Sequence, residues 1–294
     1  MITQTLAQDA NHPDWLDQKE YPFKSNFIEL PVGKMHYLDE GSGDPIVMVH
    51  GNPGWSFEFR NLIKELSKTH RCIAPDHIGF GLSDKPYDWN YLPVNHAQNL
   101  LLLLDSLNLK NITFVFNDWG GPIAMSYAIK YPEKIKKLVI LNTWLWSVKG
   151  DKHFEKFSNL MGGGFGKFMI KNFNMFGKVV VKKAVGDKSK LTKHIHKHYY
   201  DHLESRKDRK GCYVFPREII QSSEWLDSLW AQRDRINKIP TTIIWGMKDI
   251  AFREKELNTW IKNWPDAKVI RLDSVGHYPQ EEAPEVVIEE LKNW

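Results

Sequence analysis

The run Ile112-Thr113-Phe114-Val115-Phe116-Asn117-Asp118-Trp119-Gly120-Gly121-Pro122 limits what this chain can fold into more than any other stretch. Ile112 to Phe116 is β-branched and aromatic, which reads as a buried strand of a parallel sheet. The pattern breaks at Asn117-Asp118 and resumes as Ile123-Ala124-Met125-Ser126-Tyr127-Ala128, a helical segment of small and apolar residues. Strand, sharp turn and helix in this order hold one side chain out above the carboxyl edge of a sheet, and here that side chain is Asp118. A carboxylate is ionised near neutral pH and needs no base to activate it. It can attack an electrophilic sp3 carbon directly and form an alkyl ester. The competing reading is an Asp that caps the following helix.

The same alternation of apolar strand and helix recurs along the chain. Phe27 to Tyr37 suggests a hairpin turning at Val32-Gly33-Lys34, and Pro45 to Val49, Arg71 to Pro75 and Lys137 to Asn142 read as further strands. Helices are expected over residues 57–67 and 93–107. After Trp146 the strand pattern stops, and the basic, aromatic stretch to about Trp230 contains no convincing strand. Thr241 to Gly246 and Lys268 to Leu272 then restore it. The expected class is α/β: a mostly parallel sheet flanked by helices, with a helical cap inserted between late strands. We divide the chain into a core, residues 1–146 and 230–294, and a cap, residues 147–229. Residues 1–25 read as a polar arm packed on the surface through Trp15, Tyr21 and Phe23.

Composition excludes several classes. With 294 residues and 42% hydrophobic content the chain can bury a large core, yet no stretch reaches the roughly 20 apolar residues of a membrane span. The start, Met1 to Asp9, lacks the basic and apolar regions of a signal peptide. Two cysteines far apart, Cys72 and Cys212, have no metal spacing and suggest reduced thiols in a cytoplasmic protein. Residues 149–217 carry 17 Lys and Arg against 6 Asp and Glu, so with a net charge of +4 the remainder is about −7. That basic face is read as solvated, without a nucleic-acid motif. His194, His198 and His202 have i, i+4, i+8 spacing, a conceivable metal set; solvent-facing histidines on a lysine-rich helix are the plainer reading, and no metal or cofactor is expected.

Two late residues join Asp118. Asp249 follows the strand ending in Trp245-Gly246, and His277 follows the last strand in Ser274-Val275-Gly276-His277. Nucleophile, acid and histidine in this order, each at the carboxyl end of a strand, form a candidate catalytic triad.

On these residues the core resembles the α/β-hydrolase superfamily, and His50-Gly51-Asn52-Pro53 with Asp118-Trp119-Gly120-Gly121 resembles the haloalkane dehalogenases within it. The resemblance implies halide-binding side chains at Asn52 and Trp119, whose backbone N–H groups would also hold an oxyanion. It implies the branch whose acid follows the later strand, as Asp249 does; another branch carries Glu where this chain has Asn142, so Asp249→Asn should lower activity strongly and Asn142→Ala should not. Phe116 and Asn117 depart from the family's commoner residues and could alter the floor of the pocket.

Physical chemistry gives the same reading. Halide leaving carbon needs hydrogen-bond donors rather than a proton, and the Trp119 indole and Asn52 amide supply them. Hydrolysis of the alkyl ester needs water deprotonated by His277, with Asp249 orienting the ring. The expected partners are a small apolar halogenated or similarly electrophilic substrate, water and halide. Alternatives are an epoxide hydrolase using Tyr199, Tyr200 or Tyr213 as acid, a β-lactone decarboxylase of olefin biosynthesis, and a ligand-binding protein on a dead hydrolase scaffold. Trp225, Leu226, Leu229 and Trp230 have helical spacing compatible with core packing or pocket lining.

Overall fold

A computed structural model describes residues 13–292; the reading of Met1 to Asp9 lies outside the described residues. Eight strands form one sheet: β1 Asn26–Leu30, β2 Gly33–Glu40, β3 Pro45–Val49, β4 Arg71–Pro75, β5 Ile112–Phe116, β6 Ile135–Leu141, β7 Thr241–Gly246 and β8 Lys268–Leu272. Their spatial order is β1-β2-β4-β3-β5-β6-β7-β8. β2 runs antiparallel to both β1 and β4, and every other pairing is parallel. Interior strands such as β3 and β7 are buried at every residue, as expected where helices cover both faces. The edge strand β8 is half-exposed and carries Lys268 and Arg271 outward.

The strand order decides where a site can form. From β3 the chain steps to β4 on one side, then crosses β3 to place β5 on its other side. The loops after β3 and β5 therefore diverge above a crevice at the carboxyl edge. Those loops carry Asn52 and Asp118. The helix after β5, Gly120–Lys130, starts on Trp119 without a side-chain cap, so Asp118 is not spent as its N-cap. The helix expected at 57–67 opens as a tight turn, Ser56–Phe59, before Arg60–Leu66.

Between β6 and β7 the described chain forms helices joined by loops and no strand, from Lys152–Gly162 to Ser223–Trp230. Helix Lys152–Gly162 packs along Lys210–Gln221. Leu226 and Leu229 are buried, and Trp230 packs against Trp146, Trp260 and Trp264, so this end serves core packing. The segment is tied to the sheet by polar contacts. The Tyr199 hydroxyl donates to Glu281 (2.7 Å), which also takes two hydrogen bonds from Arg60 (2.6 and 2.7 Å). Residues 13–25 are more deeply engaged than a surface arm: Tyr21 and Phe23 are buried, and the Asp17 N–H donates to His198 (3.2 Å).

The histidines correct an expectation. His198 and His202 are buried rather than solvated. His198 stacks on Phe57 at 4.3 Å, and His202 packs between Trp15 and Trp55. Among the described residues no group of three or more His, Cys, Asp or Glu is placed to hold a metal ion. None of the helices there is long and apolar enough to cross a membrane.

Candidate active site

Asp118 occupies the tight turn after β5 with φ of +52°, a conformation costly for a residue with a side chain. Its surroundings over-determine it. The Asp118 N–H donates to Asn142 O (3.0 Å), and the Thr143 hydroxyl donates to Asp118 O (2.5 Å). Two neighbouring glycines make room. A Cβ on Gly51 would stand 2.3 Å from the Asp118 side chain, and one on Gly120 would stand 2.0 Å from Val49 O. The carboxylate is thereby held at the crevice, where the Asn52 N–H donates to its Oδ1 at 2.8 Å and the Trp119 N–H also reaches it.

The structure brings Asp249 and His277 to the same place. His277 Nδ1 lies 2.9 Å from Asp249 Oδ2, and His277 Nε2 faces Asp118 Oδ2 at 3.8 Å. That second distance is beyond a hydrogen bond. Asp249 is held in turn by the Ala251 N–H (2.7 Å) and by the Asn142 side-chain amide (2.9 Å). Asn142 also exchanges two hydrogen bonds with the Gly246 backbone, at 2.8 and 3.0 Å. Asn142 thus fixes both the candidate acid and the turn that carries it.

Charge follows from this packing. Burial lifts the Asp118 carboxyl above the usual range, against the pull of His277 and of the Asn52 and Trp119 N–H groups. Burial also opposes charge on His277, but the Asp249 carboxylate, its hydrogen bond and Asp118 outweigh it and raise the imidazole to about 9. The two carboxylates thus favour the protonated form of the imidazole.

A cavity of about 700 Å³, counted with its opening to solvent, lies over Asp118. Asn52, Trp119, His277 and Tyr278 line it near Asp118, Phe154, Phe157, Phe176, Val180 and Ile219 line it from the inserted helices, and His153 and Phe252 are among its further lining residues. Neither the Trp119 indole N–H nor the Asn52 side-chain amide is committed to a protein partner among the described residues, and Asn52 Oδ1 is buried and unpartnered. Phe116 is buried but does not reach the cavity, and Asn117 turns away to donate to Asn142 O (3.1 Å) and His277 O (3.0 Å). Of the tyrosines considered as acids, Tyr199, Tyr200 and Tyr213 all lie off the cavity wall.

Sequence reasoning missed Glu58 and Gln280. Gln280 donates to Glu58 (3.0 Å) and to Asn117 (3.4 Å) beneath the candidate nucleophile. Burial, then the Asp118 charge, pushes the Glu58 carboxyl well above the usual range. The only signal was an acidic residue inside Trp55-Ser56-Phe57-Glu58-Phe59.

Residues 44–284 match the family model described as the alpha/beta hydrolase fold. The chain belongs to the α/β-hydrolase family. Within that family it groups with the haloalkane dehalogenases and their homologues. It is 39% identical over 282 residues to the cis-3-alkyl-4-alkyloxetan-2-one decarboxylase of Shewanella oneidensis, covering 93% of this chain and 88% of that one. It is 33% identical over 271 residues to haloalkane dehalogenase 2 of Mycobacterium tuberculosis, covering 92% and 94%. Among solved structures it superposes on the haloalkane dehalogenase DbeA of Bradyrhizobium elkani with a TM-score of 0.82 at 25% identity, over 92% of this chain and 96% of that one. This α/β-hydrolase is accordingly an enzyme of the haloalkane dehalogenase kind.

Proposed function

We propose that this α/β-hydrolase cleaves a carbon–halogen bond of a haloalkane by attack of Asp118 on the halogen-bearing carbon. The observation that carries the reading is an ionisable carboxylate on the floor of a largely apolar cavity, flanked by two uncommitted N–H donors. In the first step the Asp118 carboxylate forms a C–O bond as the carbon–halogen bond breaks, and halide leaves with both bonding electrons. Trp119 Nε1–H and the Asn52 amide receive it. The product is an alkyl ester of Asp118 inside the enzyme. Esterification removes the negative charge that helped hold a proton on His277, so the imidazole loses its proton more readily and accepts one from water. Hydroxide adds to the ester carbonyl, the Asn52 and Trp119 backbone N–H groups bind the oxyanion, and collapse releases the alcohol. Asp249 orients the ring and stabilises its charge. In this reading residues 147–229 are a helical cap over the core formed by 1–146 and 230–294. The two buried free thiols, Cys72 and Cys212, support a cytoplasmic setting.

The decarboxylase relative favours a second reading on the same residues. Attack of Asp118 on the ring carbon of an oxetan-2-one would break the C–O bond and leave a tethered carboxylate instead of a free halide. Fragmentation then breaks the C–CO2 bond, places its electrons in a C=C bond, and returns Asp118 as the carboxylate. The epoxide reading is weakened, because Tyr278 is the one tyrosine on the cavity wall among the described residues.

The two readings part at His277. A substrate panel of bromoalkanes, epoxides and β-lactones, scored for halide, diol and alkene, is the first test. The second uses His277→Phe with the best substrates. Dehalogenation predicts one halide per site and an alkyl mass on the peptide holding Asp118. The lactone route needs no water, so the variant would go on producing alkene. A folded Asp118→Ala protein with full turnover would end both readings.

A further inference from the structure

The inserted helices carry an apolar surface with no partner in the described chain. Of the large hydrophobic side chains left exposed, Leu160, Phe165, Phe168, Phe173 and Val179 fall within twenty residues of one another. Phe165, Phe168 and Phe173 are 66%, 56% and 57% exposed. In helix Gly164–Phe173, Phe165 and Phe168 are three residues apart and share a face. Gly166 and Ile170, four apart, take the opposite face and are buried. Phe168 and Phe173 meet edge to face at 6.0 Å, and Phe165 stands one turn before Phe168 on the same face.

Charge along this stretch of the chain has one sign. From Lys156 to Lys183 the sequence contains six lysines and no aspartate or glutamate. Lys156, Lys167, Lys178, Lys182 and Lys183 are exposed. An aromatic face ringed by lysine is complementary to a surface with anionic groups over an apolar interior. An acidic protein surface would satisfy the lysines but leave three phenylalanines against polar groups. The rim of a bilayer satisfies both.

The patch also adjoins the cavity. Phe157 lines the cavity one turn before exposed Leu160, and Val180 lines it next to exposed Val179. We propose that this face of the α/β-hydrolase seats on an anionic lipid surface, with Phe165 and Phe168 entering the acyl boundary and the lysines facing phosphate. Such seating would let an apolar substrate pass from lipid to cavity along the inserted helices. That use rests on the proposed function; the surface association does not.

The test is sedimentation of the full chain with phosphatidylcholine vesicles, with and without phosphatidylglycerol. Binding is expected only with phosphatidylglycerol and should fall as salt rises. Phe165→Ser with Phe168→Ser should lower partitioning at least about tenfold, from lost apolar burial. Lys167→Gln and Lys178→Gln should each lower it about fivefold. None of these four residues lines the cavity, so turnover of a water-soluble substrate and the unfolding temperature should stay unchanged, which separates lost seating from lost folding or chemistry. Absence of vesicle binding by the unaltered chain at low salt would overturn the proposal. So would binding indifferent to the phenylalanine changes. A dimer dispersed by those changes, without vesicle binding, would instead give this face to a second copy of the chain.

Discussion

The floor and the wall of the cavity are made by different parts of the chain under different physical rules. Floor residues sit on loops that end parallel strands, and hydrogen bonds from backbone and side chains fix them. Asp118 is held by Asn142 and Thr143, and Asp249 by Ala251 and Asn142. The inserted wall supplies Phe154, Phe157, Phe176, Val180 and Ile219, which offer area and shape but no hydrogen bonds through their side chains. Even the join between the two regions is polar on the floor's side. The His277 N–H donates to Ala184 O (2.9 Å), and Glu282 accepts from the backbones of Gly186, Asp187 and Gly276. The difference implies that changes to the floor act on rate, whereas changes to the wall act on which substrate fits.

His277→Phe should break the floor most completely. Steady-state turnover of a bromoalkane should be lost, while a single burst of halide survives, measured by rapid quench. The pH dependence of that burst carries a sign. The cationic His277 holds the Asp118 carboxyl down, so its removal raises that pKa further. The acid limb of the burst rate, where Asp118 becomes protonated, should therefore move to higher pH in the variant. In the unaltered enzyme, ester hydrolysis by the proposed route should need neutral His277 and rise with pH. Its midpoint should fall below the resting value of about 9, because esterified Asp118 no longer stabilises the cation. A burst whose acid limb is unmoved would mean the two groups do not share a field.

Asp249→Asn comes next, with a fall in turnover on the order of 10³–10⁴ from a mis-set tautomer, read in kcat with substrate binding little altered. Equal activity in the variant would remove Asp249 from the mechanism.

Much of this floor was legible in the sequence, and the reason is local. A turn that forces φ positive at Asp118 needs small neighbours, and Gly120 and Gly121 advertise it. Strand ends are marked by apolar runs that stop, which is how Asp249 and His277 could be aligned with Asp118 across 159 residues of sequence. The contacts of Asn142 were not legible because its partner, the Asp249 carboxylate, lies 107 residues away. Glu58 was invisible for the same reason. The wall was read only as helical. The buried His198 and His202 look like solvated residues in a lysine-rich stretch until Phe57 and Trp55 are brought against them. Side-chain identity on amphipathic helices says which residues pack, not what they pack on.

Trp119→Phe retains the ring contacts with Trp144 and Phe215, at 4.6 and 5.3 Å, and deletes the N–H. A hydrogen bond to a charged acceptor contributes about 1.5–3 kcal/mol, so the halide-releasing step should slow by roughly 10- to 150-fold. Pre-steady-state halide release checks this, and an unchanged rate would reassign Trp119 to packing. Asn142→Ala should have a smaller effect, about tenfold in kcat, since Asp249 keeps its bonds to Ala251 and His277. It should also lower the unfolding temperature, because the Gly246 turn loses two partners.

The smallest effect tests the wall. Phe157 lines the cavity and is partly buried, and it meets Phe176 edge to face at 6.3 Å. Truncation to alanine enlarges the space without touching any group on the floor. If the wall sets fit alone, Phe157→Ala should leave the burst amplitude of His277→Phe intact when the two changes are combined. It should shift preference by only a few-fold toward longer or branched chains, since a methylene in an apolar pocket is worth about 1–3 kcal/mol. The measurement is kcat/KM across a series of chain lengths for the single variant. A uniform loss of kcat at every length would place Phe157 in the chemistry rather than in the fit. The separation of floor from wall would then fail at the point where the inserted helices come nearest to Asp118.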